Sequence, residues 1–433
     1  MAYINPGRQY EQKEFLVGLA AGATWHTPVA LTSAIMDFVE NVNFPIVGPA
    51  RIPDPGIGRK FPMYNPSLGK IECKGDLGLS AITYGQATKL FANAFGKDTV
   101  TGPAETSAYT HTLSIEASIW DKFLCLAYLF RGVDVVEFPS VKFNQFEISC
   151  NPGEVAKGKF NGLADYACTA VDDVRAGACS SGSWTPTVGP GWKTNQWVGL
   201  FLVVDAGSVA AGTTYPITAN TGTVITATGV PAVGGITSAH IGGMNAGGAG
   251  GTLGGAVSSP DFGDRLHFDD LLVRIGGPGG SSLTSGEDFN VGATKVTFER
   301  PQTGDFRSPS TNANSLSKHS IWQPRDTGIC KMGFEFTFPN YDAQIQELFK
   351  YWISTAPQSR RIELLWTSSL LAGATTIPYS FKIISPANYI SGNPVNLPQS
   401  GGMPVTLKFE ASLYSDATSP TIVIVNKETT AQI

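Results

Sequence analysis

The sequence predicts a mainly β fold: a β-sandwich or barrel flanked by one α-helix in each of two related domains, plus a small inserted β-module. Composition is the first reason, because only 15% of the 433 residues are charged and 49 are glycine, which favours strands and tight turns over helical bundles. The second reason is period-two apolar alternation at many places along the chain. The third is a strand that leads into an amphipathic helix, found once in each half.

The repeated unit spans 71–95 and 329–353, and the two copies align without a gap when Cys73 is set over Cys330. In each copy, alternating apolar residues predict a strand, and apolar residues at helical spacing then predict a helix that covers its barrel core from outside. The predicted core-facing stripes are Leu90, Phe91 and Phe95 in the first copy, and Ile345, Leu348, Phe349 and Trp352 in the second. The copies indicate two related domains; chance similarity of two ordinary strand–helix units is the alternative.

The ends of these helices also have sequence signals. Gly96 follows the first stripe and is expected to end that helix, because glycine readily adopts the left-handed conformation there. Asn340 is expected as the N-cap of the second helix, since its side chain can accept hydrogen bonds from the first free amides.

Three segments follow from these patterns. Residues 1–167 are the first domain, with an N-terminal arm and a proline-rich loop. Residues 168–263 are a linker, an inserted β-module with its core at about 192–230, and a segment rich in Gly and Ala. Residues 264–433 are the second domain and a tail, in which 422–425 is expected as an edge strand or as an addition to a neighbour's sheet.

A long hairpin is predicted from 138–149 and 154–166 around the turn sequence Asn-Pro-Gly at 151–153. The alternation slips near 144–145, which indicates a β-bulge or a strand that is contacted on both faces. We expect this hairpin and a counterpart at 266–300 to contact other subunits or to line a channel. The side chains predicted for that role are Phe143, Phe146, Ile148, Val155, Lys157, Lys159 and Phe160.

Catalytic and ligand-binding patterns are not found, and we expect no enzyme activity, cofactor or metal. The five histidines are scattered, the six cysteines form no CxxC pair, and the glycine-rich 276–280 segment lacks the following helix and the Lys-Ser/Thr of a phosphate loop. The formal net charge of −5 gives no general attraction for nucleic acid. No signal peptide and no apolar run of about 18 residues are present, so we expect a cytoplasmic site of synthesis and no membrane span.

Three stretches in this order carry a resemblance to a known family: GDLGLSAITYGQATKLFANAFG (75–96), AYTHTLSI (108–115) and VEFPSVKFNQFEISCNPGEVAKGKFNGLADY (136–166). The chain resembles the tail tube protein of long-tailed bacteriophages, in a two-domain version and with a non-contractile tail expected. The resemblance covers about 15–166 directly and 265–413 through the internal duplication.

The resemblance implies a structural virion protein that forms rings, which stack into the tube through which the genome leaves. A fused pair of domains implies a ring of three chains with pseudo-sixfold symmetry. The implied partners are further copies of the chain and the tape-measure, tail terminator and tail-tip proteins, with double-stranded DNA passing through without sequence-specific contact. The protein is then expected in the phage tail, after assembly in the cytoplasm of the bacterial host.

Two other functions stay open. One is a virion-surface or extracellular carbohydrate-binding β-protein, in which Trp192 and Trp197 of the insert are stacking platforms for sugars. The motif around them resembles W..NQW.G inserts in viral structural proteins. The other is a capsid or decoration protein, which would assemble into shells instead of tubes.

Overall fold

A computed structural model describes residues 15–22, 24–31, 35–36, 39–45, 51–52, 67–85, 87–116, 122–130, 134–168, 174–245, 264–278, 283, 287–306, 320–350, 352, 357–391, 404–412 and 419–433. The predicted N-terminal arm and most of the proline-rich loop lie outside these residues. So does much of the segment rich in Gly and Ala that comes after the insert.

The described residues are mainly β, as predicted, with two α-helices. The first half contains β1 Phe15–Gly22, β2 Ile35–Met36, β3 Val39–Val42, β4 Arg51–Ile52, β5 Ser67–Leu68, β6 Cys73–Leu79, α1 Ala87–Phe95, β7 Gly96–Glu105, β8 Ala108–Ile115, β9 Phe123–Phe130, β10 Asp134–Cys150 and β11 Lys157–Ala164. The insert contains β12 Arg175–Ser180, β13 Ser183–Pro186, β14 Phe201–Ala206, β15 Thr214–Asn220, β16 Ile225–Ala227 and β17 Ser238–Gly242.

The second half begins with a short 3-10 helix at Phe268–Asp270. It continues with β18 Leu271–Pro278, β19 Asp288–Phe289, β20 Ala293–Glu299, β21 Gln302–Asp305, β22 Gln323–Asp326, β23 Lys331–Phe338, α2 Ala343–Lys350, β24 Arg360–Leu371, β25 Pro378–Ser391, β26 Val405–Ala411 and β27 Thr421–Asn426.

The largest sheet contains an eight-strand antiparallel ribbon made of two equivalent four-strand units. The first unit has the order β3–β6–β11–β10, and the second has the order β20–β23–β26–β25. Strand β10 pairs with β20, so the last strand of one unit joins the first strand of the next. We call these units repeat 1 and repeat 2.

The gapless alignment of the two halves agrees with the burial of their side chains. Leu77 in β6 and Phe334 in β23 occupy matching positions, and both are buried. At another matching pair, Lys74 and Lys331 are both exposed. The same faces of equivalent strands therefore point inward in the two repeats.

A second layer packs over each unit. Strands β1, β9 and the first part of β10 pair in repeat 1, and β18, β24 and β25 pair in repeat 2. One hydrophobic core between the layers contains residues of both halves. The halves thus share a sheet and a core, and the domain boundaries at 167/168 and 263/264 stay predictions.

The predicted hairpin is present as β10 and β11, with a shift of register between Phe143 and Gln145 where the alternation slips. Helix α1 ends at Gly96 as expected, and this glycine has a φ of 99°. The N-cap prediction for α2 is wrong. Asp342, not Asn340, precedes the helix, and its Oδ1 accepts a 2.8 Å hydrogen bond from the Ile345 amide.

The two helices differ in their surroundings. Leu90, Phe91 and Phe95 of α1 are fully buried, and the polar Thr88 and Asn93 on the same helix are buried too. Helix α1 contacts β10 on one side and the β7–β8 hairpin on another. It therefore packs between the ribbon and the β7–β8 hairpin, so α1 flanks the core but is not its outermost layer as expected.

The insert forms a closed six-strand barrel with the strand order β12–β13–β16–β15–β14–β17 and back to β12. Its own core includes Trp184, Leu202 and Ile225. The barrel spans 175–242 and is larger than the predicted core of 192–230. Strands β12, β13 and β17 were missed because they are short, and because β12 and β17 are rich in Ala, Ser and Gly, which gives little alternation.

Candidate assembly surface

The face of the ribbon that points away from the core is polar and charged. Its ionic side chains are Lys74, Asp76, Glu147, Lys157, Lys159, Lys295, Glu299, Lys331, Glu335, Lys408 and Glu410. Lysines face carboxylates on neighbouring strands: Lys295 lies 2.8 Å from Glu147 across the β10–β20 pair, and Lys408 lies 3.3 Å from Glu335 across the β23–β26 pair. We call this surface the polar face; it is continuous over both repeats.

The hairpin residues predicted to line a channel or an interface divide between the two faces. The aromatic and aliphatic ones face the core and are almost fully buried; they are Phe143, Phe146, Ile148 and Phe160. For these four the expected role does not fit their position. Lys157 and Lys159 are exposed on the polar face, and Val155 is half-buried in a bridge with His267. Alternation explains the division, because consecutive residues point to opposite faces.

The two strands expected to form the counterpart hairpin at 266–300, β18 and β20, do not pair with each other. Strand β18 pairs with β19 and β24, whereas β20 pairs with β10 and β23. The apolar pattern correctly indicated strands at both places, but apart from the short β19 their partners lie far away in the sequence.

The helix stripes lie in the core, as predicted, where the structure describes them. Ile345 and Leu348 of α2 are buried like the residues of α1, and Trp352 is half-buried against the same core. Phe349 belongs to α2, and its side chain lies outside what the structure describes.

The junction between the repeats joins strands, aromatic rings and one buried cation. Phe146 and Phe298 are directly opposite each other in the β10–β20 pair, and their ring centroids are 5.2 Å apart. Phe95 of α1 contacts both rings, with centroids 4.9 Å from Phe298 and 6.0 Å from Phe146. Arg300, 3% exposed, bonds the Asp326 carboxylate at 2.7 Å and the Glu116 carbonyl at 2.9 Å. The three rings and Arg300 are buried where the two halves meet, while the Asp326 side chain stays 34% exposed.

The C-terminal strand adds a second connection between the halves. Strand β27 pairs with β25 of repeat 2 on one side and with β8 of the first half on the other. It is therefore an internal strand, and the expectation of a free edge strand or an addition to a neighbour's sheet is wrong. The residues at 422–425 are all apolar and are buried or half-buried, as is usual for an internal strand.

Each repeat also has an arm between its first and second strands, and each arm contains a small two-stranded sheet. This small sheet is β4–β5 in repeat 1 and β21–β22 in repeat 2. The arm of repeat 2 extends over the first half, where Ile321 is buried beside Trp25, Phe123 and Leu163. Trp25 Nε1 donates a 2.9 Å hydrogen bond to the Ile321 carbonyl.

In the described part of the chain, the two ends of the ribbon have open edges. Among the described residues, β3 has a strand partner only in β6, and the end of β25 at 389–391 only in β26. Tyr389 at this end is 43% exposed, and Ile390 is half-buried. Open edges present unpaired amides and carbonyls, which readily pair with another chain.

The insert tryptophans are part of the module's packing. Trp192 is only 9% exposed and belongs to the module core, and Trp197 packs against that core. The Trp197 amide donates a 2.8 Å hydrogen bond to Asn220 Oδ1. Sugar stacking needs an exposed ring face, so this position does not favour the carbohydrate-binding role.

The described residues offer no group of three or more His, Cys, Asp or Glu side chains that could hold a metal ion. All six cysteines are free thiols. Burial raises the pKa of the Cys73 thiol to about 12 and that of Cys150 to about 11, so these two are unreactive at neutral pH. Neither α1 nor α2 is long and apolar enough to cross a membrane.

Comparison with known proteins leaves the family open. The chain matches no protein-family model, and no curated protein matches it significantly. Among solved structures, it is similar to one described as "Crystal structure of Hcp protein", at 12% identity over 35% of this chain and 96% of that chain. The TM-score is 0.19, and a likeness at this level carries no argument about function.

Proposed function

We propose that this protein is a structural subunit that assembles into rings and that the rings stack to form a phage tail tube. The observation that supports this most is the eight-strand ribbon, in which repeat 1 joins repeat 2 through β10 and β20. The outer edge of β3, the first strand of repeat 1, is equivalent to the edge of β20 at this junction, and the end of β25 is equivalent to the edge of β10. Among the described residues, neither of these outer edges has a strand partner. A head-to-tail contact between two copies can therefore repeat the internal junction, and such contacts close into rings.

The register of that contact follows from the internal junction. Leu77 and Phe334 are equivalent, and they pair with Val42 of β3 and Val296 of β20. Val42 and Val296 are therefore equivalent, and so are Phe44 and Phe298, each of which comes two residues later. On their other side, Leu77 and Phe334 pair with Phe160 of β11 and Phe409 of β26, which are therefore equivalent too. Phe160 pairs with Phe146, and Phe409 pairs with Ile390, so Ile390 is equivalent to Phe146.

Because Phe146 faces Phe298 inside the chain, Ile390 of one copy should face Phe44 of the next. Ser391 should then face Asn43, as Glu147 faces Thr297 inside the chain. These pairs place apolar side chains in the core and polar ones on the polar face, so the contact continues both surfaces without a break.

Each chain supplies two four-strand units, and the resemblance to tail tube proteins implies a sixfold arrangement of such units. We therefore propose three chains in each ring. The polar face would line the lumen, since the opposite face of the ribbon is occupied by the core.

The charges on the polar face suit a conduit for DNA. Lys295 and Lys408 each have a carboxylate within 3.3 Å. A lysine that is already paired adds little to phosphate binding, which depends on free cations that release counterions. A polyanion could then slide past without being held.

The wider role rests on the resemblance. It gives a structural, non-catalytic protein without cofactor, made in the bacterial cytoplasm and placed in the virion tail. Its partners would be the tape-measure, tail terminator and tail-tip proteins. Stacking of rings is the natural task for the arms, which leave the ribbon between the first two strands of each repeat.

The first test is negative-stain electron microscopy of the tag-free protein over a concentration series. We expect hollow tubes or stacked rings with threefold or pseudo-sixfold symmetry. Ile390→Lys places a charge at the proposed contact and should abolish assembly. Val233→Lys, on the 87% exposed Val233 of the insert, is the matched control and should assemble like the wild type. Closed shells would instead favour a capsid or decoration protein.

A cross-link tests the register. Ser391→Cys combined with Asn43→Cys places two thiols opposite each other in neighbouring chains, at a distance that a disulfide can span. We expect oxidation to give a ladder of linked chains. Ser391→Cys with Asn41→Cys is the control, because these residues are two positions out of register and should link poorly. A protein that stays monomeric and gives no ladder in any condition would contradict the proposed ring.

A further inference from the structure

One buried carboxylate, that of Glu137, joins the inserted barrel to the rest of the chain, beside a hydrophobic cluster that the barrel shares with Ile71 and Tyr166. Glu137 lies in the first part of β10 between Val136 and Phe138, which face the main core. Its side chain therefore points to the opposite face of that layer, where it is fully buried. Its carboxylate accepts hydrogen bonds from the Asn245 amide at 2.6 Å, the Asn245 side chain at 3.0 Å and the Met244 amide at 3.3 Å.

The second connection to the barrel meets the same residue. Glu137 forms two backbone hydrogen bonds with Cys168, 2.8 and 2.7 Å long. Cys168 stands where the chain leaves the main body for the barrel, and Asn245 stands where it returns. Both connecting segments are thus held by Glu137, one through its backbone and one through its side chain.

The packing around this point is tight. A Cβ atom on Gly243 would lie 3.0 Å from a carboxylate oxygen of Glu137 and 3.1 Å from the Cβ of Cys168. Asn245 also binds the 24–31 segment, where its Oδ1 accepts from the Leu31 amide at 2.9 Å and its Nδ2 donates to the Val29 carbonyl at 3.0 Å. A change at Glu137 would therefore alter the packing of three segments of the chain: those around Cys168 and Asn245, and the 24–31 segment.

Among the described residues, no Lys, Arg or His forms an ion pair with Glu137. The titratable groups that face it are the thiols of Cys125 in β9 and Cys168 in the connecting segment. Asp165, which also acts on Cys168, is paired with His26 at 2.6 Å. The charged form of Glu137 thus has hydrogen bonds but no cation to neutralise it.

We infer that Glu137 is a protonation-dependent attachment point, which holds the 174–245 barrel firmly when its carboxyl is neutral and loosens it when the carboxyl is charged. This goes beyond the proposed tube function and does not depend on it.

The direction of the pH effect follows from the surroundings. Burial raises the pKa of Glu137 to about 7, and the hydrogen bonds from Asn245 and Met244 oppose this only in part. A carboxyl with a raised pKa stabilises the firmly attached form of the barrel fully at acidic pH, below the ordinary pKa of 4.5. That contribution is lost as the pH rises through about 7.

Hydrogen exchange of the full-length protein at pH 6 and pH 8, corrected for the intrinsic rates, tests the inference. For a carboxyl with a pKa of about 7, we expect protection of the amides at 244–245 and 168 to fall about tenfold between these values. Amides of β14, inside the barrel, should keep their protection, because the barrel loosens as a unit.

Glu137→Gln removes the titration but keeps the shape and an accepting oxygen. In this variant, protection at 244–245 should be equal at both pH values. Glu154→Gln, at an exposed position, is the control and should behave like the wild type. If Glu137→Gln does not fold, an infrared carboxyl band of the wild type that titrates near pH 7 serves instead. Unchanged wild-type protection between pH 6 and pH 8, or an equal fall in Glu137→Gln, would overturn the inference.

Discussion

Helices α1 and α2 occupy equivalent places after the second strand of each repeat, yet α1 is buried and α2 lies at the surface. Phe91 of α1 contacts the rings of Phe146, Phe160 and Phe381, which come from both repeats. On α2, Gln344 and Gln346 are exposed. The difference comes from the next elements of the chain, because the β7–β8 hairpin covers α1 and pairs with β27. After α2, the next strand among the described residues is β24.

The sequences of the two helices fit their environments. Helix α1 reads ATKLFANAF, with small or apolar residues on most of its circumference, while α2 reads AQIQELFK, with one apolar stripe. A helix that is apolar on most sides is normally buried, and a one-sided helix lies on a core. The position of the helix is thus the same in the two repeats, while the later elements of the chain decide how much of it is covered.

The largest expected effect concerns the cores of these helices. Phe91→Ala should lower the free energy of unfolding by about 3–5 kcal/mol, since it leaves a cavity among three rings. Leu348→Ala in α2 should cost about 2–3 kcal/mol, because the surface helix can relax into the space. Urea unfolding of both variants measures the difference. Equal losses would remove the distinction between the two helices.

The next effect concerns the junction between the repeats. Arg300→Ala should cost about 2–3 kcal/mol, because charged hydrogen bonds to Asp326 and Glu116 are lost in a buried site. Arg274→Ala is the control within repeat 2. Its pair with Asp288 is partly exposed, so the change should cost less than about 1 kcal/mol. A similar loss of stability in both variants, measured by thermal unfolding, would show that Arg300 at the junction contributes no more than a partly exposed ion pair.

A smaller effect, dependent on pH, concerns the C-terminal segment. The buried His111 has Nδ1 2.9 Å from Asp98 and Nε2 2.9 Å from the Glu428 carbonyl, so both nitrogens face acceptors. Burial disfavours the charged ring, but the bonds to Asp98 and Glu428 outweigh burial and raise the pKa of His111.

The charged His111 should therefore stabilise the fold fully below its ordinary pKa of 6.5, and this should be lost as the pH rises through the raised value. His111→Gln should remove that pH dependence and leave the separate one of Glu137. The measurement is the melting temperature as a function of pH. A wild-type profile identical to that of His111→Gln would exclude this role.

The smallest effect concerns the polar face. Double-mutant cycles for Lys295 with Glu147 and for Lys408 with Glu335 should each give a coupling of about 0.2–1 kcal/mol, as expected for exposed ion pairs. The first pair joins the repeats and the second lies within repeat 2. A coupling well above this range for the first pair alone would assign the polar face a structural role at the junction.

Local patterns in the sequence predicted a large part of the fold. Alternation gave the β10–β11 hairpin, and its slip gave the shift of register at 143–145. The stripes Leu90, Phe91 and Phe95 and the glycine at 96 gave α1 and its end. These features depend on residues close together in the chain, and their physical causes act over a few positions.

The candidate assembly surface was predicted only in part. The hairpin was identified correctly, but its phenylalanines were assigned to an interface although they face the core. Alternation tells which residues share a face; it does not tell which face the rest of the chain will cover. The lysines at 157 and 159 are on the outer face because α1 and β20 bring their apolar residues to the other one.

The sequence by itself determined the kinds of elements, the similarity of the two strand–helix units and the absence of recognisable catalytic motifs. The tertiary structure alone decided that β10 pairs with β20, that β27 pairs with β8, and that both connections to the barrel meet at Glu137. These contacts join residues that are far apart in the chain. Strand edges offer the same amides and carbonyls whatever their side chains, so their partners are settled only when the whole core is packed.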